Sequence, residues 1–178
     1  LAADLSHEQR KALTAAAANY GVPQLYIHAE QEGETEDFQD TLDFTQDVLQ
    51  QRYVDLAPTT QPNLIVLGCP QASMGELRAI AKLLKGKQVL PTLEHFDTPM
   101  LWIFTSSQNK EIAESVGLAK TLTDAGALLL ANTCPEVVPY DSRWVKHILT
   151  NSMKAEHYIK SGLNGIPTAV MPLALCVE

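Results

Sequence analysis

One grammar recurs along this chain and constrains its fold more than anything else: an apolar run, one or two small polar residues, then a helix. The clearest instance is Leu64-Ile65-Val66-Leu67-Gly68-Cys69-Pro70-Gln71-Ala72-Ser73. Its apolar start predicts a buried strand over about 63–68. Ser73, three residues before Glu76, is a helix-start signal. A helix is expected over about 74–85, with Leu77, Ile80, Ala81 and Leu84 on one face and Gly86 as its stop. Met100 to Thr105 repeats the pattern and runs through Ser106 and Ser107 into a helix at about 108–117. Ala127 to Ala131 is a further strand, ending in Asn132-Thr133-Cys134-Pro135. Ile166 to Met171 is the last, with Pro172 where a short helix begins. Val145 to Leu149 reads as a short strand, and 153–160 as a helix opened by Thr150-Asn151-Ser152. Strands that alternate with helices pair in parallel and are covered on both faces. The expected fold is therefore α/β, a three-layer parallel sheet with helices on both faces, in one domain over 1–178.

The first third of the chain is less regular. Ser6 and Gln9 form a capping-box pair for a helix over 6–20, whose apolar face is rich in alanine and which Gly21 closes. Gln24 to Ala29 alternates as a strand would, with His28 read as a satisfied or surface histidine. Residues 30–40 carry six acids around Gly33 and read as a polar, solvated loop, without the spacing of a calcium site. Leu42 and Phe44 suggest a short edge strand, and Thr45 caps a helix over about 46–56 that ends before Pro58 and Pro62. Residues 91–99 form a loop in which His95 and Asp97 have no partner at ligand spacing.

Composition bears on partners and compartment. A net charge of −8 leaves no basic patch for nucleic acid or for an anionic membrane surface. No apolar run approaches the ~20 residues a membrane helix needs. Leu1-Ala2-Ala3-Asp4 is neither a signal peptide nor an initiator start, so the chain is expected to be a piece of a larger protein. Three widely spaced cysteines do not suggest a disulfide framework, and a reducing, cytoplasmic setting is expected.

In parallel sheets ligands gather at the carboxyl ends of the strands. Cys69, Ser73, Thr105, Ser106, Cys134 and Ser152 all fall there. Cys69 alone is open to two readings, a small buried hydrophobe at a strand end or a thiol placed for chemistry. Cys134 sits in a second strand–Cys–Pro junction. Together with Cys176 these make three unpaired sulfurs that can converge on one metal centre. Ser152 stands at a predicted helix start with Lys154 two residues on, where the plain reading is an N-cap. Asn151 and Lys154, with Ser73, suit a carboxylate or phosphate. Thr105 and Ser106 either face the same crevice or cap the helix after them. His157 and Tyr158 are read as packing residues.

The blocks Leu67 to Ser73 with Glu76-Leu77, Trp102 to Ser106, Thr133-Cys134-Pro135, and Thr150-Asn151-Ser152-Met153-Lys154 with His157-Tyr158 resemble, in order, the motifs of the aconitase X large catalytic subunit. The resemblance runs from the first helix to Cys176 and corresponds to the C-terminal half of that subunit. It implies an iron–sulfur hydro-lyase acting on a small hydroxy acid, cis-3-hydroxy-L-proline or mevalonate 5-phosphate. It also implies a small swivelling subunit or fused domain as partner, together with the N-terminal half of the same subunit. It implies Cys69, Cys134 and Cys176 as cluster ligands and Ser152 as the base, with Ser73, Thr105, Ser106, Asn151 and Lys154 around the substrate. Three positions depart from the family's usual pattern: Gln71 stands in place of His, Asn132 in place of Asp and Met153 in place of Gly. The first two neighbour cluster cysteines, where outer partners orient ligands. A non-catalytic domain that retains the fold is the alternative these departures leave open. A zinc or mononuclear-iron hydrolase is a third, less well matched because zinc sites of this size usually add histidines at short spacing.

The chemistry explains the residue types. Dehydration of a hydroxy acid removes a weakly acidic proton and expels hydroxide, which a Lewis acid on the leaving oxygen assists. Thiolates hold iron–sulfur clusters, and three of them leave one iron position open for substrate.

Overall fold

A computed structural model describes residues 5–27, 42–89 and 100–177. Five strands form one all-parallel sheet: β1 (Leu64–Ala72), β2 (Met100–Thr105), β3 (Ala127–Ala131), β4 (Ile148–Thr150) and β5 (Thr168–Val170). The spatial order is β3-β2-β1-β4-β5. The chain thus winds outward from β1 through β2 to β3, then returns to β1's other side. β1 and β4 flank the point where the winding reverses, the place at which open α/β sheets leave a crevice.

Among the described residues seven helices accompany the sheet: α1 (His7–Asn19), α2 (Gln46–Leu56), α3 (Met74–Leu83), α4 (Ser107–Ser115), α5 (Leu118–Asp124), α6 (Met153–Ser161) and α7 (Leu173–Cys176). Strand alternation sorts the core into two layers. Ile65, Leu67, Leu101, Ile103 and Leu129 meet Leu77 and Ile80 of α3, Ala113 of α4 and Leu122 of α5 on one face. Leu64, Val66, Met100, Phe104 and Ile148 meet Ala155 and Ile159 of α6, with Tyr140 and Val145, on the other. Each fully buried Leu or Ile contributes about 2 kcal/mol by area removed from water. The three-layer expectation therefore holds.

Local signals place the helix starts. Ser6 and Ser73 each form a full capping box, with Gln9 and Glu76 respectively, and Thr45 accepts from the Val48 amide. Several expectations need correction. Residues 24–27 and 42–44 form no strand, and Leu42 and Phe44 are solvent-exposed; alternation alone, without a neighbouring edge to pair with, does not make a strand. The helix expected over about 108–117 is α4, and a further helix not expected there, α5, follows it across Gly117 at φ 75°. The expected strand at Val145 to Leu149 lies later, at Ile148–Thr150. His28, the rest of the run to Ala29, the acids of 30–40, His95 and Asp97 lie outside the described residues. No described helix is long and apolar enough to cross a membrane.

β1 is longer than its apolar run and irregular. Its pairing with β2 shifts register between Leu67 and Ala72, and the Cys69–Pro70 peptide is cis. Gly68 sits at φ 91°, and a Cβ there would lie 2.0 Å from the Phe104 carbonyl oxygen. Only glycine fits both constraints. The irregularity has a direct consequence: strict alternation would put Cys69 with Ile65 and Leu67, yet it joins Leu64, Val66 and Phe104 on the opposite face.

Candidate functional site

The carboxyl end of β1 is the hub. Cys69 is 9% exposed, and its thiol donates to Glu136 Oε1 at 2.7 Å. Cys134, in the turn after β3, donates its thiol to the other oxygen of the same carboxylate. Two sulfurs carried by strands that are not neighbours are thus brought to one side chain. The turn that does this is pinned at both ends. Asn132 adopts the left-handed conformation, φ 57°, and its Oδ1 accepts from the Ser107 amide at 3.2 Å. Gln71 Nε2 donates to the Thr133 carbonyl at 3.2 Å, and Asn164 Nδ2 donates to the Glu136 carbonyl at 3.2 Å. The two family departures beside the cysteines are therefore structural ties. Asn tolerates the left-handed region as Asp does and keeps the acceptor, and Gln71 supplies a donor.

Burial pushes the Cys69 thiol up to about 12, helped by the hydrogen bond to Glu136 and by its charge. The Ser152 hydroxyl and the Lys154 ammonium pull the other way. Ser152 is nearly buried and caps α6, its Oγ accepting from the Ala155 amide at 3.1 Å. Capping and a pull on Cys69 coexist in one hydroxyl, so the two readings of Ser152 do not exclude each other.

Tyr140 completes the cluster. It is 8% exposed, stacks on Trp102 at 5.8 Å between ring centroids, and shares the Cys69 core. Burial, then the charges of Glu136 and Cys69, hold its phenol well above the usual range. Its hydroxyl is buried with no hydrogen-bond partner among the described residues.

Cys176 does not join this group. Its sulfur donates to the Met171 carbonyl at 3.4 Å and packs among Leu67, Ile80 and Leu149 on the opposite face of the sheet. Burial raises it to about 12 as well. Among the described residues no group of three or more His, Cys, Asp or Glu is arranged to hold a metal ion. Two of the expected sulfurs meet at one carboxylate, and the third is turned away.

The remaining expected residues divide. Asn151 is exposed at the end of β4 and lines a cleft of about 470 Å³ with Gly68, Cys69, Pro70, Glu76 and Lys11. This cleft lies at the winding reversal and touches the thiol pair through Cys69. Lys11 of α1 donates to the Gln71 carbonyl at 3.0 Å and pairs with Glu76. Ser73 caps α3 and donates to Glu8 at 3.3 Å. Thr105 is buried and donates to the Ala72 carbonyl at 2.7 Å, tying β2 to β1, and Ser106 caps α4. These three hydroxyls are engaged in structure. Sequence reasoning missed Glu136 and Tyr140. An acid two residues after a strand-end cysteine was a readable signal for the first; nothing local marked the second.

Comparison with known proteins extends this picture. The family model for the aconitase X third domain matches residues 62–178. The phosphomevalonate dehydratase large subunit of Methanocaldococcus jannaschii is 34% identical over 114 residues, 64% of this chain and 26% of that relative. The cis-3-hydroxy-L-proline dehydratase of Pseudomonas aeruginosa is 34% identical over 132 residues, 71% of this chain and 21% of that relative. The crystal structure of the Thermococcus kodakaraensis aconitase X holo-form superposes with a TM-score of 0.76 at 25% identity, covering 97% of this chain and 44% of that one. The chain thus spans about a quarter of the length of the curated relatives it matches.

Proposed function

The chain belongs to the aconitase X family, and from that premise we propose that the protein it forms part of is an iron–sulfur-dependent hydro-lyase that dehydrates a small hydroxy acid. The observation that carries the reading is the meeting of Cys69, Cys134 and Ser152 at the carboxyl end of a doubly wound sheet, beside an open cleft. Cys69 and Cys134 hold the cluster in this reading, and Cys176 joins them in the whole protein. The cluster, when bound, supplies a Lewis acid to the leaving hydroxyl.

The chain's own residues do the rest. Ser152, at the N-terminus of α6 with Lys154 near, takes the Cα proton of the substrate; the helix dipole and the ammonium stabilise its deprotonated form. Asn151 and Lys154 hold the substrate carboxylate by charge-assisted hydrogen bonds. Ser73, Thr105 and Ser106 shape the crevice by fixing the ends of β1 and β2. Among the described residues the cleft wall carries the carboxylates of Glu8 and Glu76 beside the Lys11 ammonium, which favours a zwitterion such as cis-3-hydroxy-L-proline over a phosphate dianion. Mevalonate 5-phosphate is the alternative substrate. The partners in this reading are the N-terminal half of the same large subunit and a small swivelling subunit or fused domain. The setting is cytoplasmic, in keeping with three free thiols.

The test is anaerobic reconstitution of the complete large subunit and its small partner with iron and sulfide. A brown protein that dehydrates cis-3-hydroxy-L-proline, and loses colour in Cys69→Ser and Cys134→Ser, is the expected result. A colourless, inactive assembly would sink the reading. The seat of Cys176 in the opposite core favours a second one, a domain that keeps the fold without the chemistry. That reading requires full stability and no colour in the same experiment.

A further inference from the structure

The cleft at the end of β1 owes part of its wall to a helix far from the strand in sequence. Glu8, Gln9, Lys11 and Ala12 of α1 line it together with the end of β1 and the first turns of α3. This helix precedes residues 62–178, the stretch that matches the aconitase X third domain. None of its residues is fully buried. The charged groups on this wall are not equivalent. One oxygen of Glu76 accepts from the Ser73 amide at 2.7 Å and from the Lys11 ammonium. Lys11 also donates to the Gln71 carbonyl at 3.0 Å. These two charges offset each other and tie α1 to β1 and α3.

Glu8 differs. It is half-buried, and among the described residues its one hydrogen-bond partner is the Ser73 hydroxyl, 3.3 Å from Oε1, with no ion pair. A carboxylate has about four acceptor sites, so most of this one's capacity is unused. Its place is set: a Cβ at Gly75 would lie 2.9 Å from Glu8 Oε1, so the carboxylate rests against the first turn of α3. The wall therefore carries a negative charge beyond the Lys11–Glu76 pair, in a cleft where partial exclusion of water strengthens attraction for a cation. We propose that Glu8 is a substrate-binding residue that receives the ring ammonium of a zwitterionic hydroxy acid and so selects an amino acid over a phosphate ester. The inference rests on the hydro-lyase reading and deepens it. The secondary ammonium of cis-3-hydroxy-L-proline brings a positive charge and two N–H donors to Glu8, whereas mevalonate 5-phosphate offers no cation.

The test uses the reconstituted complete large subunit with its small partner. Glu8→Gln keeps the side chain's shape and removes its charge. KM for cis-3-hydroxy-L-proline is expected to rise about thirtyfold, with kcat changed far less. The second readout is inhibition by cis-2-hydroxycyclopentane carboxylate, the same ring with carbon in place of nitrogen. It lacks the ammonium, so its inhibition constant is expected to be the same in wild type and Glu8→Gln. Equal weakening of substrate and analogue would mean that Glu8 only holds the cleft wall in place, and overturns the inference. An unchanged KM in Glu8→Gln overturns it as well. A wild-type enzyme that dehydrates mevalonate 5-phosphate and not cis-3-hydroxy-L-proline overturns this inference alone. A colourless wild-type assembly that dehydrates neither overturns the hydro-lyase reading together with it.

Discussion

Cys69 and Cys176 are the same residue type, both buried, both at the carboxyl end of the sheet, and both held near 12. They differ in company. Cys176 sits among aliphatic side chains with a carbonyl for partner, and burial accounts for its state. Cys69 has a carboxylate, a hydroxyl and an ammonium acting on it, pulling in opposite directions. A raised thiol therefore does not distinguish an inert cysteine from a chemical one. The distinguishing property is the company: charged and polar side chains act on Cys69 from both directions, whereas Cys176 answers to burial and one carbonyl.

The comparison is broken most forcefully at Gly68. Gly68→Ala places a methyl against the Phe104 carbonyl at a φ that disfavours side chains. A loss of about 3 kcal/mol in urea unfolding is expected, with the Glu136 side of the sheet disturbed and the Cys176 side retained. A variant of wild-type stability would show that the bend does not decide which face Cys69 takes.

The shared state of the two thiols has its own signature. Each folded value, about 12, lies above the ordinary thiol value of 9.0, so the unfolded chain loses its thiol protons first. Stability is full below pH 9 and falls as pH rises from 9 towards 12, by about 1.4 kcal/mol per pH unit for each thiol. Cys176→Ala is expected to remove one thiol's share of that slope. Denaturant melts across this pH range measure it, and an unchanged slope would contradict the burial of Cys176.

The subtlest effect separates the two directly. Glu136→Gln removes a charge that raises Cys69 and leaves Cys176 untouched. Alkylation of Cys69 at pH 9, followed site by site by mass spectrometry, is expected to quicken about tenfold, the equivalent of one pKa unit. Equal acceleration at Cys176 would mean that the variant loosens the fold rather than retuning one sulfur.

Much of this architecture is legible in the order of residues. The capping boxes of Ser6 and Ser73, the 3.6-residue stripe of α3, and the apolar runs of β1, β2 and β3 are local signals, and each forms where its chemistry lies. The weak points were also local in kind. Alternation at 24–29 and 42–44 suggested strands, although over the residues described there no partner strand pairs with them, and the helix at Leu118–Asp124 was not anticipated. The strand–Cys–Pro junctions placed Cys134 just beyond β3, whereas Cys69 falls inside β1, three residues before its end.

Which sulfurs meet is another matter. The sequence of Leu64–Ser73 determines a buried strand that leads into a capped helix, because hydrophobic runs and caps act over a few residues. Only the tertiary structure decides that Gly68, pressed against the Phe104 backbone of the next strand, turns Cys69 to the other face. There Glu136 and Cys134 reach it from a distant turn, while Cys176 stays behind in the opposite core. Face and convergence depend on register between strands far apart in the chain, and no local signal encodes that register.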